Sequence, residues 1–100
     1  MSSSLFDLTG KSALITGSSQ GIGFALAKGL AASGAKIILN GRDRTKLQAA
    51  ADNLSTTGAD VQTLGFDATD HDAVRAAVDG FEDTSGTIDI LVNNAGMQHR

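Results

Sequence analysis

Short apolar runs alternate along this chain with longer stretches in which apolar residues recur every three or four positions. Ser12-Ala13-Leu14-Ile15 reads as a first buried strand. Gly21 to Ser33 follows as a helix, with Ile22, Leu26 and Leu30 at i, i+4 and i+8 on one face, and Gly34 is a natural stop for it. Lys36 to Asn40 reads as a second strand, and Arg44 to about Leu54 as a second helix that buries Leu47, Ala50, Ala51 and Leu54 and ends near Gly58. Val61 to Phe66 reads as a third strand. Thr69, with Asp72 three positions on, forms a capping-box-like start to a third helix that buries Ala73, Val74, Ala77, Val78 and Phe81. Ile88 to Val92 reads as a fourth strand.

Strands and helices in strict alternation imply a parallel sheet joined by right-handed crossovers. The first, second and fourth strands are apolar nearly throughout, as strands covered on both faces must be. The expected fold is therefore α/β, a Rossmann-type doubly wound parallel sheet with strands in the order 3-2-1-4 and three helices. That order leaves the apolar fourth strand at an edge, which is a liability. The sheet reads as incomplete, with further strands expected beyond residue 100 or from a partner.

Composition narrows the picture modestly. With 100 residues, 41% hydrophobic and 19% charged, the chain suits one small globular domain rather than a disordered segment. A net charge of −3 with dispersed basic residues favours neither nucleic acid nor an anionic membrane. The absence of cysteine excludes disulfides and thiolate-ligated metals and fits the cytoplasm. No 18-residue apolar run is present, and the start Met1-Ser2-Ser3-Ser4 lacks the pattern of a secretory signal. No spacing of His, Asp and Glu points to a metal site.

The chemistry is concentrated between the first strand and the first helix, in Thr16-Gly17-Ser18-Ser19-Gln20-Gly21-Ile22-Gly23. Glycines there permit a tight turn and allow a pyrophosphate to approach the helix N–H groups. The side chains of Ser18, Ser19 and Gln20 offer further donors. The spacing Gly-x-x-x-Gly-x-Gly is one residue longer than the general dinucleotide fingerprint.

In these residues the chain resembles the short-chain dehydrogenases/reductases. Thr16 to Gly23 is similar to that family's Thr-Gly-x-x-x-Gly-x-Gly motif, and Asn93-Asn94-Ala95-Gly96 to its Asn-Asn-Ala-Gly motif. Phe6 to Lys11 resembles the usual lead-in. The resemblance implies NAD(P) contacts from Gly17, Ser19, Gln20, Gly21, Ile22 and Gly23 in the loop. It implies an adenine contact from Asp67, with Ala68 beside it; Asn93 and Asn94 are expected to hydrogen-bond backbone groups across neighbouring strands, with Asn94 counted among the cofactor-binding residues, while Ala95 and Gly96 let the nicotinamide-side ribose approach closely. Gly41 occupies the place of the acid that selects NAD, and Arg42 follows it, so NADP is the expected cofactor with NAD as the alternative. Asp43, at the start of the second helix, reads as an N-cap.

The family's catalytic serine, tyrosine and lysine are assigned to no residue here: the chain has no tyrosine, and Lys11, Lys28, Lys36 and Lys46 all precede the Asn-Asn-Ala-Gly motif. Residues 1–100 thus read as the N-terminal part of one NAD(P)-binding domain whose catalytic part is absent from this chain. Gln98 and Arg100 are similar to residues beside the sugar-acid site in the branch that interconverts gluconate and 5-keto-gluconate. The expected partner is a small sugar acid, and the parent protein is expected to be a cytoplasmic homo-oligomer with neither nucleic acid nor membrane as partner. A 3-oxoacyl-carrier-protein reductase shares the same main motifs. A non-catalytic nucleotide-binding module and an inactive fragment are the readings from other classes.

Overall fold

A computed structural model describes residues 7–94. Seven elements alternate: β1 (Ser12–Ile15), α1 (Gly21–Ala32), β2 (Lys36–Gly41), α2 (Arg44–Ser55), β3 (Val61–Gly65), α3 (His71–Ser85) and β4 (Ile90–Val92). The four strands are parallel in the order β3-β2-β1-β4, as the sequence predicts.

β1 and β2 are the centre of the sheet because their side chains are apolar on both faces. Ala13, Ile15, Ile37 and Leu39 point one way, by strand alternation, and pack with Ala27 of α1 and Leu47, Ala50, Ala51 and Leu54 of α2. Leu14 and Ile38 point the other way and are also buried. On that side, Phe81 and Ser85 of α3 share a small hollow with Ile38 and Gln62. The predicted inward face of α2 is therefore the observed one.

α1 differs from the expectation. Ile22 and Leu26 stand 67% and 39% exposed, while Gly23 and Ala27 are the buried positions. The helix lies so close to the loop before it that only its small-residue face fits against the sheet. α3 turns the predicted side chains inward, but Ala73, Val74, Ala77, Val78 and Phe81 are only half-buried. β4 is shorter than expected, and Leu91 is 53% exposed, so this strand is covered on one face rather than two. Asp89 precedes β4 and fixes its register: its carboxylate accepts from Ser12 N–H at 2.9 Å, and its own N–H donates to Ser12 O. Leu91 in solvent on the edge strand, with Ile22 and Leu26 of α1 also exposed, should make the 100-residue chain self-associate. Sedimentation that rises in mass with concentration, and falls back in Leu91→Lys, is the expected result. A monodisperse wild-type monomer would contradict it.

The helix starts separate into two kinds. Asp43 caps α2 by accepting from Thr45 and Lys46 N–H at 2.9 and 3.1 Å. Asp70, not Thr69, caps α3, accepting from Asp72 and Ala73 N–H. Thr69 is otherwise engaged: its hydroxyl donates to Asp67 at 2.6 Å. α1 alone begins at a residue, Gln20, whose side chain makes no capping bond, and its first turn carries no acid. Among the described residues no helix is long and apolar enough to cross a membrane, and no group of three His, Cys, Asp or Glu could hold a metal.

Candidate functional site

The carboxyl ends of β1, β2 and β3 converge on the loop that opens α1. Gly17 and Gly21 both take positive φ, +60° and +64°, which turns the chain from strand to helix with no steric cost. The loop is clamped by side chains from two neighbouring strands. Asn40, buried at the end of β2, accepts from Gly17 N–H at 2.9 Å through Oδ1. Its Nδ2 donates to Leu64 O at 3.0 Å and Phe66 O at 3.1 Å, so one amide ties the loop to the far edge of the sheet. Asn94, also buried, donates from Nδ2 to Gly17 O at 3.1 Å. Gly17 is therefore held at both its N–H and its carbonyl.

Ser18 belongs to this frame rather than to a ligand surface. It is fully buried, its hydroxyl donates to Ile15 O at 2.6 Å and accepts from Asn40 N–H at 2.9 Å. That corrects its reading as a free donor. Asn93 and Asn94 likewise divide: Asn94 is buried and bonds backbone, whereas Asn93 is exposed and accepts from the Thr16 hydroxyl at 3.4 Å. Gly23 explains the closeness of α1 to the loop. A Cβ there would run into Gly17 O, Asn94 Nδ2 and Ser18 Cα.

Beside this frame opens a cleft of about 590 Å³. Gly17, Ser19, Gln20 and Gly21 form one wall, Asn40, Gly41 and Arg42 the floor, and Asp67, Ala68 and Thr69 the other wall. Gly23 lies behind the loop, Ile22 points to solvent, and Asn94 acts on the loop from below. Ala95, Gly96, Gln98 and Arg100 lie outside the described residues.

Across the cleft Arg42 Nη1 and Asp67 Oδ2 pair at 3.3 Å. Both side chains are well exposed, so the pair stabilises the fold little. The Asp67 carboxyl is held below the ordinary carboxylate range, chiefly by the Thr69 hydroxyl and then by the Thr69 N–H, with Arg42 contributing less. Its small contribution to folding is present above the ordinary pKa and is lost only as pH falls through the lowered value. Asp67 is thus an anion at neutral pH, with turn-forming bonds on Oδ1 and an acceptor, Oδ2, facing Arg42.

The arrangement fits the adenosine and phosphate end of a dinucleotide. The uncapped start of α1 offers backbone donors and the positive end of a helix. A side chain at Gly21 would meet no protein atom, and one at Gly41 would come within 3.2 Å of Ser19 Oγ, so both glycines keep the cleft clear. Sequence reasoning missed two contributors. Asn40 was read only as the end of an apolar strand, although a lone amide there is the available signal. Lys46 lines the cleft from the first turn of α2, and a basic residue just inside the helix that follows the floor is the available signal.

The chain belongs to the short chain dehydrogenase family, which it matches over residues 11–100. It is 50% identical over 96 residues to a gluconate 5-dehydrogenase of Gluconobacter oxydans, covering 96% of this chain and 38% of that protein. It is 46% identical, over the same number of residues, to a 5-keto-D-gluconate 5-reductase of Escherichia coli. Among solved structures, a gluconate 5-dehydrogenase from Burkholderia cenocepacia in complex with NADP and tartrate superposes with a TM-score of 0.85 at 49% identity, over 95% of this chain and 37% of that one. An L-sorbose reductase of Gluconobacter frateurii complexed with NADPH and L-sorbose gives 0.83 at 42% identity, over 91% of this chain and 35% of that one. The chain spans less than two-fifths of the length of these relatives.

Proposed function

We propose that this chain is the cofactor-binding part of an NADP(H)-dependent oxidoreductase that interconverts a secondary alcohol and a ketone on a sugar acid, with gluconate and 5-keto-gluconate as the pair. The observation that carries the reading is the floor of the cleft: β2 ends in Gly41, with no acid to hold a ribose 2′-OH, and a guanidinium follows at once. The relatives' substrates and the NADP and NADPH complexes of two structural neighbours support it. The catalytic part, the homo-oligomeric state and a cytoplasmic setting without membrane or nucleic-acid partners belong to the same proposal.

In this reading the residues of the chain bind and orient. Gly17, Ser19, Gln20 and Gly21 present donors to the pyrophosphate, Arg42 engages the 2′-phosphate, Asp67 and Ala68 bound the adenine, and Ala95 and Gly96 let the nicotinamide-side ribose approach, while Asn94 serves the site by holding Gly17 O. NADP(H) supplies hydride exchange when bound. Gly23 and Asn40 fix the loop so that its donors are preorganised. By the family resemblance, Gln98 and Arg100 are the residues assigned to the polar groups of the sugar acid.

The full-length protein should reduce 5-keto-gluconate with NADPH and oxidise gluconate with NADP. Turnover of a 3-oxoacyl carrier substrate in place of both would overturn the assignment. Arg42→Ala should weaken NADP by about tenfold or more, the order of a charge-assisted bond to phosphate, and leave NAD nearly unchanged. Gly41→Asp should move the preference toward NAD, with Ser19 displaced because it lies 3.2 Å from the new Cβ. Dissociation constants of both cofactors check this; equal weakening by Arg42→Ala would remove Arg42 from the selecting role.

A further inference from the structure

Arg42 is not the only cation at the cleft, nor is it the less encumbered one. Among the described residues the ion pair present joins Arg42 to Asp67, so part of the guanidinium's charge is answered by a carboxylate on the facing wall. Lys46 lines the same cleft from the first turn of α2, and no carboxylate of the described residues pairs with it. The nearest acid in sequence, Asp43, lines the cleft as well, but its Oδ1 is engaged by its own helix, accepting from the Thr45 and Lys46 N–H groups. Lys46 also lines a second hollow with Ser19, Gln20 and Phe24, beside the start of α1. Ser19 Oγ lies over Gly41, within 3.2 Å of where a Cβ would stand, and no residue described here bonds to it. Arg44, the other cation nearby, lines a different hollow with Thr63, Leu64 and Gly65.

We infer that Lys46 is a second selectivity residue, acting with Arg42 and the Ser19 hydroxyl on the phosphate monoester at the ribose 2′ position. The inference rests on the NADP reading of the same cleft. Two cations flanking one hydroxyl suit a dianion, which carries several acceptor oxygens and more charge than a single exposed guanidinium shared with Asp67 neutralises. A lysine on a flexible stem acts as a point charge, so its effect should weaken steeply as salt is raised.

The test uses adenosine 2′,5′-bisphosphate and adenosine 5′-monophosphate, which differ only in the 2′-phosphate, titrated into the full-length protein by calorimetry. Wild type should bind the bisphosphate more tightly. Lys46→Ala should weaken the bisphosphate about tenfold at low salt, with a smaller loss at high salt, while the monophosphate and the melting temperature stay unchanged. Lys46→Arg should retain most of the preference. The double change Arg42→Ala with Lys46→Ala should abolish it. A Lys46→Ala protein that keeps the full preference, or loses both ligands equally, overturns the inference while leaving the NADP reading intact. A wild type that does not distinguish the two nucleotides overturns both.

Discussion

Asn40→Asp should destabilise the protein by about 3 kcal/mol or more and cut the tie from the glycine loop to the end of β3. The wild-type amide accepts from Gly17 N–H and donates to two carbonyls, Leu64 O and Phe66 O, while the residue is 1% exposed. Aspartate keeps the acceptor but sets a carboxylate oxygen against both carbonyls. Two half-buried acceptors lose their donor, at about 1–3 kcal/mol each, and a buried charge is added. In a full-length protein of ordinary single-domain size that is a fall of about 6–12 °C in Tm. The sign of the pH dependence gives a second check. Burial among carbonyls raises the new carboxyl's pKa above its unfolded value, and protonation restores one donor. The loss should therefore be largest at neutral pH and shrink as pH falls. Thermal melts across pH decide it; a variant as stable as wild type at neutral pH would show that the loop does not depend on this amide.

Gly23→Ala is expected to damage both stability and cofactor binding, and Gly29→Ala is its internal control. Both glycines lie in α1, where alanine is favoured by about 0.8–1 kcal/mol on helix propensity alone. At Gly29 a Cβ would meet nothing within 4 Å, so Gly29→Ala should be neutral or stabilising. At Gly23 the same methyl would strike Gly17 O and Ser18 Cα, and backbone on two sides cannot yield as a flexible side chain can. Overpacking of this kind costs about 1–3 kcal/mol, and relief by moving the loop would misplace the donors at the start of α1. The expected outcome is a lower Tm and NADP affinity reduced by at least an order of magnitude for Gly23→Ala, with neither change for Gly29→Ala. Indistinguishable melts and affinities would mean the helix is not seated against the loop.

Much of this architecture is legible in the residues, and the exceptions have physical causes. The inward face of α2 is readable because Leu47, Ala50, Ala51 and Leu54 follow the helical period without competition. In α1 the large apolar residues Ile22 and Leu26 mislead, because a close helix-to-loop approach rewards small side chains, and Gly23 and Ala27 supply them. Thr69 has the right type for a cap, but its hydroxyl is already bonded to Asp67, leaving the cap to Asp70. The places of Arg42 and Asp67 at the cleft follow from their strands, whereas their pairing across it depends on how far apart the two walls stand. Asn40 is the least readable, since its partners Leu64 and Phe66 are set by the parallel register of β2 against β3.

A crystal structure of the full-length protein with NADPH should show the adenosine end in the cleft between Ser19 and Asp67, the pyrophosphate at the start of α1, and the 2′-phosphate within hydrogen-bond reach of Arg42. A 2′-phosphate turned to solvent away from Arg42, or an adenosine bound outside this cleft, would contradict the NADP reading of the cleft.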